Sequence, residues 1–275
     1  MTGSDEGTLV ERRDGLVIVT FNRPEKKNAL NAANWAALDQ VLTEMANNPA
    51  DRALLLTGAG GNFSSGADLS GGMKGNGSKE QGTGGLTGGP RQLILHEMRA
   101  VGEIIGRLQR LPKPSIAAVD GVAVGVALGL ALACDLIIAS DRARFSEVFV
   151  KRGLALDGGT SWSLPRQIGL RRAKQMAYLG ESVPASQALD WGLVNEVVAP
   201  EQLTGTALDW AGRLASGPTT ALSLIKRLLD SSDSASFSDA VENEARAQHI
   251  AFGTSDMAEG IASFLEHRPP RFTGS

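Results

Sequence analysis

The chain has 275 residues, 42% of them hydrophobic, and a formal net charge of −3. This length accommodates one domain with a substantial core, and the composition is typical of a soluble protein rather than a membrane protein. Because there is no basic excess, nucleic acid is not an expected partner. Cys134 is the one cysteine, which excludes an internal disulfide and a multi-cysteine metal site.

The N-terminal region predicts a hairpin and a helix. Residues 1–15 are polar and charged, which indicates neither a secretory signal nor a mitochondrial leader, so we expect a cytoplasmic protein. Two apolar segments, 9–10 and 16–21, flank Asp14-Gly15 and predict a β-hairpin. Asn31 is placed to cap a helix that ends before Pro49 and carries an apolar stripe formed by Trp35, Leu38, Leu42 and Met45.

A strand and a glycine-rich segment follow. Residues 53–57 predict the strand, and the turn after it, 62–69, consists largely of small residues that let backbone approach a ligand closely. Ser70–Pro90 has many glycines and little apolar content, which predicts a mobile segment, either a lid or a plain insertion. From about Arg91 we expect a helix, on which His96 is interpreted as an ordinary residue.

The central stretch runs from Ser115 to Asp135. It predicts a short buried strand over 115–119, a turn at Asp120-Gly121, and a buried Ala- and Leu-rich helix from Gly125. No capping side chain stands at Gly125, so free N–H groups there favour an oxyanion site if they face a cavity. The alternative is a glycine turn that only introduces a core helix.

The remainder indicates α/β architecture followed by helices. Another buried strand over 135–139 continues the alternation of strands and helices. From Thr160 the pattern is mostly helical, with helices expected at 170–179, 186–191, 200–215, 219–229, 237–252 and 255–266.

A series of motifs in this order resembles the crotonase (enoyl-CoA hydratase/isomerase) superfamily. They are Asn22-Arg23-Pro24 with Asn28-Ala29-Leu30, Phe63 to Leu69, Gly121 to Asp135, Gly180 to Ala188, Gly192-Leu193-Val194 and Glu259 to Phe272. The matches cover nearly the whole chain. The resemblance implies a crotonase-like spiral of ββα repeats over residues 1–200, which contains the site, and a C-terminal helical oligomerisation region over 201–275.

The resemblance also implies an acyl-CoA thioester as substrate, with coenzyme A as part of it and no separate cofactor or metal. In the family, two backbone N–H groups hold the thioester carbonyl oxygen and stabilise an enolate. These donors fall on Ala67 and Val126. A valine keeps the backbone donor while narrowing the space for the acyl chain.

Proton transfer is where this sequence departs from family hydratases. Their two water-handling glutamates correspond to Gly129 and Phe149, and neither residue transfers a proton. Family isomerases often use an acid slightly further on, which Asp157 matches. The structural alternative for Asp157, which precedes Gly158-Gly159-Thr160, is a helix cap.

Two further expectations concern the surroundings of Asp157. Leu154, Leu156 and Trp162 are expected to form an apolar wall that raises the pKa of the Asp157 carboxyl. Glu147 is the reserve base, but the favoured interpretation is a solvated residue on an edge strand.

The resemblance assigns coenzyme A to two parts of the chain. The first comprises Arg23, Lys27, Ala29, Leu30, Ser65, Asp68 and Leu69. The second, Phe264 and His267 near the C terminus, reaches the coenzyme A of a neighbouring subunit, which implies a homotrimer or homohexamer. Core packing is the alternative for Phe264.

We therefore expect an acyl-CoA enzyme, with an enoyl-CoA isomerase favoured. An enoyl-CoA hydratase of fatty-acid or aromatic-acid catabolism is the first alternative, and a non-catalytic CoA- or RNA-binding scaffold is the second. No membrane partner is expected.

Overall fold

The computed structural model of the protein describes residues 3–5, 7–69 and 91–275. The predicted mobile segment Ser70–Pro90 therefore lies outside the described residues. Within them, no helix is both long and apolar enough to cross a membrane.

The chain begins with the predicted hairpin. Strand β1 (Gly3–Asp5) pairs antiparallel with β2 (Thr8–Arg13), and β2 pairs antiparallel with β3 (Leu16–Phe21). The turn between β2 and β3 is made by Asp14 and Gly15, both with positive φ. Helix α1 (Ala32–Asn47) follows, and the Asn31 side chain accepts a hydrogen bond from the Asn34 amide in a capping box, as predicted.

The middle of the chain alternates strands and helices. Its elements are β4 (Ala53–Gly58), α2 (Arg91–Gln109), β5 (Ser115–Val119), β6 (Val122–Val124), α3 (Val126–Leu132), β7 (Leu136–Ser140), β8 (Arg144–Ser146), α4 (Thr160–Ile168), α5 (Leu170–Leu179), β9 (Ser182–Pro184), α6 (Ala185–Asp190) and β10 (Glu196–Val198). Among the described residues, one seven-stranded sheet has the order β1-β2-β3-β4-β5-β7-β10, parallel from β3 onward, and β6-β8-β9 form a second sheet.

Both faces of the large sheet are covered. Side chains alternate along β3, β4 and β5, so that Val17, Leu54 and Ala117 lie in one apolar cluster and Ile18, Leu55 and Ile116 in another. Helices α1, α2 and α3 contribute to the first cluster. Helix α7 (Pro200–Ala215) contributes to the second through Leu203, Ala207, Ala211 and Ala215. This double burial explains why the parallel strands are nearly continuous apolar runs.

Three helices complete the chain: α8 (Thr219–Ser231), α9 (Phe237–Ala251) and α10 (Ser255–Leu265). The buried Asp256 side chain accepts hydrogen bonds from the Thr273 and Gly274 amides and so fixes the C-terminal tail on α10. The chain is helical from Pro200 onward, as expected, and α7 packs on the large sheet. A functional division at residue 200 stays a prediction.

Candidate active site

Two backbone turns meet beside the small sheet. The Ser64 amide donates to the Val122 carbonyl at 2.8 Å, and the Val124 amide donates to the Ser64 carbonyl at 3.2 Å. On the other side, the Leu30 amide donates to the Gly66 carbonyl at 2.8 Å, and the Asp68 amide donates to the Leu30 carbonyl at 2.9 Å. The segment that carries Ala67 is thus held between Leu30 and the strand that leads into α3.

Gly66 permits this approach. Its φ is +95°, and a Cβ atom added there would lie 2.7 Å from the Val124 carbonyl oxygen. The second turn passes through Gly125, which has a φ of 57° and offers no side-chain cap to α3. Neither the Ala67 amide nor the Val126 amide donates a hydrogen bond to any described residue. The structure therefore brings the two predicted donors to neighbouring turns and leaves both available.

The Asp157 turn packs directly on α3. A Cβ atom added to Gly158 would lie 3.3 Å from Val126 Cγ2 and 3.5 Å from the Gly129 Cα. A Cβ atom added to Gly129 would lie 2.4 Å from the Gly158 carbonyl oxygen, closer than real contacts allow. The backbone of this turn thus fills the space where a side chain at position 129 would begin.

The Asp157 carboxyl is a partly buried acid, one oxygen of which lacks a partner. Its Oδ1 is buried and has no hydrogen-bond partner among the described residues, and burial raises the pKa of Asp157 to about 6. The capping hypothesis for this side chain is wrong. The Thr160 amide and hydroxyl donate to the Asp157 backbone carbonyl, at 3.1 and 2.9 Å, and α4 has Gly159 at its N-cap with no side-chain bond.

The predicted rise in the pKa of Asp157 is confirmed, but the predicted apolar wall is largely open to solvent. Leu154 is 55% exposed and Trp162 is 47% exposed, whereas Leu156 is half-buried. Trp162 lies under the Arg166 guanidinium, whose Cζ is 4.2 Å from the ring centroid. On helix α4, Trp162 also lines a separate groove.

Glu147 is the largest correction. It is 0% exposed, and neither carboxyl oxygen has a partner among the described residues, so the solvated interpretation is wrong. It follows β8, which is the middle strand of the small sheet and not an edge strand. Burial, with the charge of Asp157 as a second cause, raises the pKa of Glu147 to about 9. The sequence held one signal for this burial, because two large apolar residues, Phe145 and Phe149, flank Glu147, and both are buried.

Phe149 stands where the resemblance places the second glutamate of family hydratases. It is 8% exposed, and its ring lies 3.4 Å from the position of a Cβ atom on Gly125. The aromatic ring therefore packs against the turn at Gly125 and provides no ionisable group.

The first set of residues predicted to meet coenzyme A, from residues 23–30 and 65–69, clusters in one place. The Ser65 amide donates to the Lys27 carbonyl at 2.9 Å, which joins the two predicted segments. The Arg23 guanidinium donates to the Ala29 carbonyl at 2.6 Å and forms an ion pair of 2.7 Å with Asp68. Arg23 and Asp68 thus bind each other within the cluster, next to Leu30 and the exposed Leu69.

Phe264 and His267 lie on the surface of the single chain. Phe264 is 77% exposed, so its interpretation as a core residue is wrong, and His267 is exposed as well. Their contact with coenzyme A of a neighbouring subunit stays a prediction.

A groove of about 460 Å³ lies elsewhere, between α3, α4 and α8, and none of the predicted catalytic residues line it. Cys134 lies there and is buried, and burial raises the pKa of its thiol to about 12, which fits an inert residue. No group of three potential metal ligands occurs in the described part of the chain.

Known proteins resemble this chain over almost its full length. The family description "Enoyl-CoA hydratase/isomerase" matches residues 11–275. The 1,2-epoxyphenylacetyl-CoA isomerase of Escherichia coli (strain K12) is 38% identical over 94% of this chain and 95% of its own. The short-chain-enoyl-CoA hydratase of Clostridium acetobutylicum is 33% identical over 94% of this chain and 95% of its own.

A solved structure agrees with the fold. The crystal structure of an enoyl-CoA hydratase from Bacillus anthracis superposes with a TM-score of 0.89 at 28% identity, covering 98% of this chain and 100% of that one. The ββα spiral expected from the motifs is therefore confirmed, and the chain belongs to the enoyl-CoA hydratase/isomerase family.

Proposed function

We propose that this protein is an enoyl-CoA isomerase that moves a double bond by proton transfer through Asp157. The observation that carries the proposal is the packing of the Asp157 turn on α3. It sets the backbone of the turn that carries a carboxyl of pKa about 6 against Val126 and closes position 129 with the Gly158 carbonyl. Such a carboxyl is mostly ionised near neutral pH and is basic enough to accept a proton.

The steps follow from the arrangement of the groups. The thioester carbonyl oxygen accepts hydrogen bonds from the Ala67 and Val126 amides, which stabilise negative charge as an enolate forms. The Asp157 carboxylate removes a proton from C2 of a 3-enoyl-CoA and returns it to C4. The double bond then lies between C2 and C3, and Asp157 is again ionised.

Water addition makes different demands. A hydratase has to orient and activate a water molecule as well as move a proton. At the two positions where family hydratases carry glutamates, this chain has Gly129, which has no room for a side chain, and Phe149, which does not ionise. One carboxylate that reaches two carbons is sufficient for isomerisation.

The test compares two substrates. The protein is incubated with 3-hexenoyl-CoA and with 2-hexenoyl-CoA, and products are followed by mass and by double-bond position. We expect isomerisation of the 3-enoyl substrate to exceed hydration of the 2-enoyl substrate. Predominant formation of 3-hydroxyacyl-CoA contradicts the proposal, and absence of any turnover favours the non-catalytic scaffold.

A hydratase is the second candidate, because of Glu147. The protonated Glu147 and the ionised Asp157 together would supply an acid and a base from new positions. Relatives of this chain are named both isomerase and hydratase. A dominant hydration product that disappears in Glu147→Gln would favour this candidate.

The remaining parts of the proposal concern binding and assembly. The cluster of 23–30 with 65–69 holds coenzyme A within one subunit, and Phe264 with His267 reaches it from a neighbour in a trimer or hexamer. The exposure of Phe264 supports this arrangement. We also propose a cytoplasmic location and no separate cofactor.

A further inference from the structure

In the described part of the chain, the buried side-chain atoms without a hydrogen-bond partner belong to two acids. Among the described residues, three buried side-chain atoms lack a hydrogen-bond partner: both carboxyl oxygens of Glu147 and Oδ1 of Asp157. Burying a carboxyl without a partner costs stability, on the order of 1–3 kcal/mol or more. Such a cost at two neighbouring acids points to a functional requirement.

The backbone places Glu147 next to the proposed oxyanion donor. The Gly125 amide donates to the Ser146 carbonyl at 2.9 Å, and Val124 is the register partner of Ser146. Glu147 is therefore one residue beyond the contact that introduces α3, and the Asp157 turn packs on the same helix at Val126.

Asp157 is the charged group that acts on the Glu147 carboxyl. Strand β6 and helix α3, which adjoin Glu147, carry no titratable side chains. The charged residues of the neighbouring segments are exposed to solvent; they are Arg144, Lys151, Arg152, Arg171, Arg172, Lys174 and Glu181. The two carboxyls thus form a pair whose charges are set mainly by burial and by each other.

Each of the two acids lacks a hydrogen-bond partner that the other is able to supply. A protonated Glu147 has one O–H donor to offer, and the ionised Asp157 has a buried oxygen that accepts. We propose that Glu147 is a positioning residue of the proton-transfer site, whose carboxyl donates a hydrogen bond to Asp157 when Asp157 is ionised. Glu147 keeps its own proton throughout, and the transferred proton moves only between the substrate carbons and Asp157.

This role has a signature in the pH dependence. Ionisation of Glu147 above about pH 9 removes the donor and adds a second negative charge beside the base, so activity falls on the alkaline side. Glutamine retains an N–H donor and cannot ionise, whereas leucine has neither property. The proposal rests on the proposed function through Asp157 as the base.

The experiment measures kcat/KM for 3-hexenoyl-CoA against pH in wild type, Glu147→Gln and Glu147→Leu, with Glu181→Gln as the exposed control. The leucine variant should lose about 10- to 100-fold, the scale of a hydrogen bond to a charged group, and its acid limb should move to higher pH. Glutamine should rescue most of this loss and abolish the alkaline limb, while Glu181→Gln keeps both limbs.

An unchanged alkaline limb in Glu147→Gln, or wild-type kcat/KM in a folded Glu147→Leu, overturns the proposal. If leucine prevents folding, the profile of the glutamine variant decides alone. Exchange of the α-protons of hexanoyl-CoA in deuterated water provides a second readout that needs the base but no isomerisation. Exchange without isomerisation counts against the proposed function only, and the pH profiles of the exchange reaction then decide on the role of Glu147. If neither exchange nor isomerisation occurs, both proposals are overturned.

Discussion

Asp157 owes its proposed role to a balance between burial and ionisation. Burial raises the pKa of the carboxyl from 3.8 to about 6, which strengthens it as a base and still leaves it mostly ionised at pH 7. The proposed isomerase activity should therefore fall below about pH 6, as the base becomes protonated.

Asp157→Asn tests the base directly. Asparagine keeps the size of the side chain but does not accept the proton, so we expect turnover of 3-hexenoyl-CoA to fall by roughly 10²–10⁴-fold. The control is Asp190→Asn at an exposed position, which should retain activity. Thermal unfolding of both variants checks that the fold is intact. Wild-type turnover in Asp157→Asn together with its loss in Glu147→Gln would assign the base to Glu147.

At the scale of elements, the contact between α3 and the turn 157–159 determines what position 129 accepts. The Gly158 carbonyl is part of the backbone and does not swing aside as a flexible side chain does. Any side chain at 129 therefore displaces the turn that carries Asp157.

Gly129→Ala should consequently lower the free energy of unfolding by about 1–3 kcal/mol. It should also reduce isomerisation, since the turn shifts. Gly205→Ala is the matched control, because Gly205 is an exposed glycine of helix α7 with nothing within 4 Å of an added Cβ. Helix propensity predicts that this change is stabilising by up to about 1 kcal/mol. Urea unfolding measures both, and equal stability changes would contradict the proposed packing.

The elements differ in how well the sequence reveals them. The apolar runs of β4 and β5, the Asn31 cap and the C-terminal helices were predictable because each has a local pattern of sufficient length. The small sheet was not, since β6, β8 and β9 have three residues each and pair across about 20 to 40 positions. Glu147 was therefore expected on an edge strand, whereas it directly follows the middle strand β8.

The residues of the site also differ in how well the sequence reveals them. The backbone donors at Ala67 and Val126 were accessible through motifs, as their turns need glycines at Gly66 and Gly125. The environment of Asp157 depends on the approach of its turn to α3, which involves residues about 30 positions apart and leaves no local pattern. The sequence therefore indicated which acid to examine but not what surrounds it.

At the scale of the whole molecule, Glu147 links stability to pH. The folded protein holds the Glu147 proton up to about pH 9, whereas an unperturbed glutamate releases it above 4.5. Between these values the native state binds more protons than the unfolded state, so this group lowers the free energy of unfolding as pH rises.

Glu147→Gln removes that dependence. We expect a stabilisation relative to wild type that is small at pH 5 and larger at pH 7 and pH 9, measured by urea unfolding at constant protein concentration. Glu181→Gln serves as control, because Glu181 is exposed. A stabilisation of equal size at all three pH values would show that Glu147 is ionised in the folded protein.

The surface of the C-terminal helices predicts assembly. Large apolar side chains are strongly exposed there in the single chain, among them Leu229, Phe237, Phe252, Phe264 and Leu265. We expect light scattering at micromolar concentration to show a trimer or hexamer with closed symmetry. A purely monomeric species would remove both this prediction and the contact of Phe264 with coenzyme A of a neighbour.

The close approach of Gly158 to Gly129 also bears on how such an enzyme changes its chemistry over generations. A mutation that introduces glutamate at 129 meets the Gly158 carbonyl and disturbs Asp157 before it brings any benefit. A substitution that first moved the turn 157–159 away from α3 would also move the proposed base, Asp157, while position 129 still lacks a glutamate. Each single step is harmful alone, so a lineage that carries this turn exchanges one reaction for the other only through coordinated substitutions at both places.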